Sequence, residues 1–162
     1  MPPMAGDNQI DARDHWLLAG IPEDVIGPLL TAGEEVRYLP GDVIFREGDP
    51  SDGLFLVTAG AARVTVTGEG GETYLATVRS NEVLGEMGVL DGEPRSGTAT
   101  ALTLCAAFYL PADAFLDLLE RAPLASMRLL ALLCQRLRRA NGRLVELPST
   151  AAVSQEDVPI SS

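Results

Sequence analysis

Apolar positions recur at two spacings along the chain, and the change from one to the other divides it. From Asp14 to Leu30, residues Trp16, Leu17, Ile21, Val25, Ile26, Leu29 and Leu30 fall at helical intervals. Pro22 stands where a second helix can begin, so two short helices are expected over 14–31. Over 34–111 the runs shorten to EEVRYL, DVIF, LFLVTA, ARVTVT, TYLATV and TLCAAFYL. They are separated by Pro40-Gly41, Gly48-Asp49-Pro50, Gly60, Gly68 to Gly71 and Arg79-Ser80-Asn81, the residue types that tight turns demand. Strands so short and so regularly spaced predict a mainly β, antiparallel sandwich or barrel, with no parallel βαβ repeat. Helical spacing returns over 111–147, first in PADAFLDLLERA and then in a longer helix opened by Pro123. In that helix Leu130, Leu133, Leu137, Ala140, Leu144 and Leu147 step by three and four. This fits either an amphipathic face lying on the barrel or a coiled-coil seam between two copies of the chain. Residues 1–13 are polar without periodicity and are expected to be a flexible arm, and 148–162 a disordered tail, leaving one domain over 14–147.

Composition narrows the chemistry. The 162 residues carry a formal net charge of -11, which argues against general nucleic-acid binding. All 12 basic residues are arginine, and without lysine there is no Walker P-loop, Schiff-base lysine or catalytic lysine base. His15 is the only histidine, too few for a cupin-type metal cluster, and is expected to be a half-exposed structural residue. Cys105 and Cys134 stand alone in apolar surroundings and are expected to be buried thiols of a reducing compartment. No signal-type segment or unbroken apolar run is present, so a cytoplasmic protein with no membrane partner, no metal and no cofactor is expected. Six of the 12 arginines but only four of the 23 acids lie over 111–147, where Arg136, Arg138, Arg139 and Arg143 form a local basic surface. That surface is either a solvated helix end favoured by the dipole or a set of side chains that folds over a bound anion.

The stretch LGEMGVLDGEPRSGTATA, Leu84 to Ala101, combines these themes. Gly85 and Gly88 permit close backbone approach, and GEMGVL is long enough for one helical turn whose free N–H groups favour an anion. Arg95, preceded by Pro94, offers a planar fork of donors that matches phosphate oxygens, and Ser96 adds a hydroxyl. Glu86 does not favour a phosphate. It either pairs with Arg95 across the loop or accepts from a neutral donor such as a sugar hydroxyl. One positive charge for a phosphate and one acceptor for a ribose together describe a nucleotide.

GEMGVLDGEPRSGTATA resembles the phosphate-binding cassette of cyclic nucleotide-binding domains. The upstream YLPGDVIFREGDPSDGLFLVTAGAARV resembles the strand-turn-strand lead of the same family. The resemblance covers about 14–147. It implies an eight-stranded antiparallel jelly-roll, the double-stranded β-helix, with N-terminal helices, a short cassette helix and C-terminal helices. It further implies a non-enzymatic regulatory domain that binds a cyclic nucleotide. Arg95 would hold the cyclic phosphate with Ser96 and backbone N–H groups. Glu86 would accept from the ribose 2′-hydroxyl, with Gly85, Met87 and Gly88 shaping the pocket and Val64 and Thr77 lining it. The last helix would close as a lid, its base contacts falling on Arg136, Ala140 and Asn141. Three departures stand out: only a polar tail follows Leu147, so direct DNA recognition is not expected; Ala140 and Asn141 replace a hydroxyl pair; and Gly97 stands where alanine is usual. A hydroxyl after the arginine occurs with either purine, and the bacterial look of the composition favours cyclic AMP over cyclic GMP. The alternative from another class is a ligand-independent dimerisation or interaction module with a degenerate pocket, working through Leu130, Leu133, Leu137 and Leu144.

Overall fold

The computed structural model describes residues 9–146, with side chains to 142. The described residues form two compact units, divided between Ala125 and Ser126. Eight strands make up the first: β1 (Glu34–Tyr38), β2 (Val43–Phe45), β3 (Gly53–Ala59), β4 (Ala61–Gly68), β5 (Gly71–Arg79), β6 (Val83–Leu84), β7 (Thr98–Ala101) and β8 (Cys105–Pro111). They pair as two four-stranded sheets of order β1-β8-β3-β6 and β2-β7-β4-β5, every pairing antiparallel, which is the expected jelly-roll.

The β3 sequence GLFLVTA is buried at every position because both of its faces are covered. Phe55 and Val57 point between the sheets with Ala62, Val78, Leu84, Ala99, Ala101, Cys105 and Ala107, a core whose many alanines let the sheets approach closely. Leu54 and Leu56 alternate with them and take the outer face. That side is covered by α1 (Glu23–Ala32) and α3 (Ala112–Arg121), which pack on each other and on β8. Phe115 and Leu118 are the buried residues of the α3 stripe. A one-turn helix, α2 (Glu86–Asp91), follows β6 and packs on β3. The last helix, α4 (Pro123–Glu146), runs across the boundary between the units.

Several expectations need correction. The first of the two N-terminal helices is a 3-10 turn, Ala12–Asp14, followed by successive turns to Gly20, whose φ of 82° ends the run before Pro22. Residues 9–13 of the expected arm are described and lie against the barrel: Ile10 N–H donates to Thr58 O at 3.0 Å, and Ala12 is buried. His15 is fully buried rather than half-exposed. Its Nδ1 accepts from the Leu17 N–H at 3.1 Å, so Nε2 carries the proton and donates to Glu82 O at 3.1 Å. Cys105 is buried, its thiol pushed up to about 11 by burial, but Cys134 is exposed. Residues 1–8 and the tail over 148–162 lie outside the described residues.

Candidate functional site

Arg95 is the centre of the cassette and one of the few buried charges, only 5 % exposed. Its backbone is bonded to the β2–β3 loop on both sides, Gly48 N–H to Arg95 O at 2.9 Å and Arg95 N–H to Asp49 O at 2.8 Å. Its guanidinium donates through Nη1 to Gly85 O at 2.9 Å and through Nη2 to Gly53 O at 2.6 Å, with Asp52 Oδ1 at 3.4 Å. The group lies over the Phe45 ring, 4.2 Å from its centroid. Nε is buried and has no hydrogen-bond partner among the described residues. Burial lowers the Arg95 pKa, while Asp52, Tyr109, Asp49 and Glu86 counter it in that order. The arginine therefore stays charged in a site that satisfies most of its donors and leaves one open. The Tyr109 phenol is pushed up to about 12, by burial first and then by its hydrogen bond to Asp52.

Glu86 occupies the first turn of α2 and is completely buried, near enough to Arg95 to act on its charge. Gly85 caps α2 in the left-handed region, φ 86°, and a Cβ there would lie 2.6 Å from Arg95 Nη1. At Gly88 a Cβ would run into Ser51 Oγ and come 2.6 Å from Glu93 O. Gly97 likewise lies against the sheet, where a Cβ would be 2.8 Å from Thr65 O and 3.1 Å from Val64 Cγ1, so the alanine usual at this position would not fit without a shift. Ser96 is exposed beside the buried arginine, and Met87 is 51 % exposed on α2.

Val64 faces between the sheets, half-buried against the core. Thr77, expected beside it, does not join it. The β4–β5 register pairs Val64 with Ala76 and Thr77 with the exposed Arg63, so Thr77 takes the outer face, where its hydroxyl meets Tyr74 OH at 2.9 Å. A bulge at this point shifts the alternation by one residue, which the strand pattern alone does not reveal. Arg136, Ala140 and Asn141 lie on α4 in the second unit. On the same helix Leu130 and Leu137 are 55 % and 64 % exposed, Leu133 is half-buried, and the Leu144 side chain lies outside the described residues.

A cavity of about 340 Å³ opens beside Arg95, at the small end of the range for ligand pockets. Its apolar wall is formed by Val36, Tyr38, Ile44, Phe45 and Phe55, and carboxylates of Glu34, Asp49 and Asp52 stand among its lining. Of the residues expected at the site only Arg95 lines it. Phe45, Asp52 and the Gly53 carbonyl are thus partners of the arginine that motif spacing does not reveal. Among the described residues no cluster of three or more His, Cys, Asp or Glu side chains suits a metal, and no helix is long and apolar enough to cross a membrane.

Comparison with known proteins agrees with this architecture. The cyclic nucleotide-binding domain family matches residues 35–122. The chain is 35% identical over 126 residues to the cyclic AMP receptor protein of Thermus thermophilus, covering 77% of this chain and 58% of that one. It is 29% identical over 132 residues to the CRP-like cAMP-activated global transcriptional regulator of Mycobacterium tuberculosis, covering 81% and 59%. The crystal structure of the Thermus thermophilus catabolite activator protein superposes with a TM-score of 0.68 at 35% identity, over 79% of this chain and 61% of that one. The chain spans about three-fifths of the length of these relatives. With two antiparallel sheets, the cassette between β6 and β7, and a match over 35–122, the chain belongs to the cyclic nucleotide-binding domain family.

Proposed function

We propose that this chain is a non-enzymatic cytoplasmic sensor that binds a 3′,5′-cyclic nucleotide, cyclic AMP in preference to cyclic GMP, and converts binding into a movement of α4. The observation that carries the reading is Arg95: a buried guanidinium held by backbone carbonyls, with its Nε–H unused. An anionic phosphate oxygen is the acceptor this donor lacks. The cassette N–H groups at Gly85, Glu86, Met87 and Gly88 and the Ser96 hydroxyl complete the phosphate end. Glu86 accepts from the ribose 2′-hydroxyl, and Val64 meets the ligand from β4, outside the cavity beside Arg95. Arg136, Ala140 and Asn141 are the candidates on α4 for contact with the base. A ligand shifts α4 only by binding one of its arrangements more tightly, so a contact from this helix is the minimum the mechanism requires. The preference for cyclic AMP rests on the names of the relatives, a cyclic AMP receptor protein and a cAMP-activated regulator.

Calorimetry with cyclic AMP and cyclic GMP tests the reading. Arg95→Ala removes a charge-assisted hydrogen bond worth about 1.5–3 kcal/mol, so cyclic AMP affinity is expected to fall by about one to two orders of magnitude. Arg95→Lys, which keeps the charge but not the planar fork, should fall nearly as far. Unchanged affinity in both variants would reject Arg95 as the phosphate ligand. A second reading, a dimerisation module independent of ligand, is favoured by the exposure of Leu130 and Leu137. Light scattering separates the two, since a dimer whose mass is the same with and without cyclic AMP, in a protein that cyclic AMP does not stabilise against heat, supports the second.

A further inference from the structure

The β2–β3 loop, residues 46–52, meets the cassette at more points than the arginine alone. Gly48 and Asp49 bond the Arg95 backbone on both sides. Ser51 Oγ donates to Glu93 O at 2.7 Å and lies where a Cβ on Gly88 would be. The loop is itself anchored at its start, Glu47 N–H donating to Thr98 Oγ1 at 3.0 Å and Glu47 Oε1 accepting from Thr67 N–H at 3.0 Å. Thus a segment fixed on β4 and β7 reaches both ends of the cassette, touching α2 at Gly88 and the chain at Glu93 and Arg95. Within it the Ser51 side chain lies against Gly88 and bonds Glu93 O.

We infer that Ser51 is a positioning residue: its hydroxyl sets the distance between the cassette helix and Arg95, and so the geometry in which the helix N–H groups and the guanidinium meet one anion. The proposal rests on the cyclic nucleotide reading for its consequence, but its structural content concerns the cassette itself. A hydrogen bond to a carbonyl on an exposed segment adds little to global stability, because water replaces it when it is lost. Its effect is local. Without it, Glu93 is released, the two backbone bonds at Arg95 open more often, and the fork is offered to the ligand in a wider range of positions, which weakens binding.

Two measurements on the intact chain decide it. In ligand-free protein, Ser51→Ala should raise amide exchange at Arg95 by about tenfold while the Val57 amide, bonded to Glu82 O in the barrel, stays protected as before. Gly88→Ala should have the same effect by a different route, since its methyl meets the Ser51 hydroxyl. With cyclic AMP, Ser51→Ala should dissociate about tenfold faster with its melting temperature within about 2 °C of the parent. Unchanged exchange at Arg95, or a rise shared equally by Val57, overturns the proposal, as does an unaltered dissociation rate. If the parent protein does not bind cyclic AMP, the functional reading falls, and the exchange comparison still decides the role of Ser51.

Discussion

Arg95 and Glu86 were legible as a pair because a charged residue in a glycine-rich loop has few bland uses, whereas the groups that hold Arg95 were not. Asp52 and the Gly53 carbonyl lie more than forty residues away in the chain, and only the folded sheets bring them to the guanidinium. Sequence also identified the cassette glycines, and the fold adds a cause that it did not give, since Gly85 and Gly88 both make room for protein atoms. The effect is measurable. Gly85 and Gly92 both have positive φ, 86° and 78°, so an alanine at either incurs left-handed strain of about 1–2 kcal/mol. A Cβ on Gly92 meets nothing within 4 Å, but one on Gly85 lies 2.6 Å from Arg95 Nη1 and 3.2 Å from Phe45. Gly85→Ala is therefore expected to lose more stability in urea titration than Gly92→Ala, by roughly 1 kcal/mol or more. Equal losses would mean that Arg95 moves aside freely and that its position is not fixed by Gly85.

Among the elements, six of the eight strands were recoverable from alternation and turn residues, whereas β6 and β7, of two and four residues, lie in none of those runs; α1, α3 and α4 followed from their periodicity and leading prolines. The turns after Ala12–Asp14 were misread as helix because Trp16, Leu17 and Ile21 repeat at helical spacing while bonding as successive turns. The other failure, at Thr77, has a sharper cause. In an antiparallel pair, facing residues share a side, so the bulge between Val64 and Thr65 decides whether Ala76 or Thr77 points inward, and nothing in TYLATV encodes a bulge. Replacement of Thr77 by valine keeps its volume and β-branch on the outer face. Its affinity for cyclic AMP should stay within about twofold of the parent by calorimetry, whereas Ala76→Phe, on the Val64 side, should weaken binding by at least about tenfold. Reversal of that order would place Thr77 in the pocket and Ala76 outside it.

At the scale of the whole barrel, the N-terminal segment is tied to the turn that leads into the cassette. Trp16 N–H donates to Asn81 Oδ1 at 2.6 Å, and Asn81 itself has φ 72°, so the turn is held in a left-handed conformation by its contact with the segment. His15, beside it, uses both ring nitrogens and is fully buried, and burial lowers its pKa from 6.5 to about 4 against the opposing pull of the Glu82 carbonyl. Because the folded ring resists a proton that the unfolded chain accepts, the unfolded state binds more protons between those two values. Stability contributed by the neutral ring is therefore complete above about pH 6.5 and is lost as pH falls towards 4, up to about 3 kcal/mol in all. Protonation would place a proton on Nδ1 and end its acceptance from Leu17 N–H. The contribution of His15 is isolated by difference against a variant that cannot titrate at this position. In His15→Gln, an amide that offers one acceptor and one donor without titrating, the unfolding free energy is expected to be lower than the parent's at pH 7. The gap should narrow steadily from pH 6.5 and close near pH 4. A gap of constant size from pH 7 to 4 in parallel urea titrations would show that His15 is not buried as the neutral ring and that the N-terminal segment is not fastened through it.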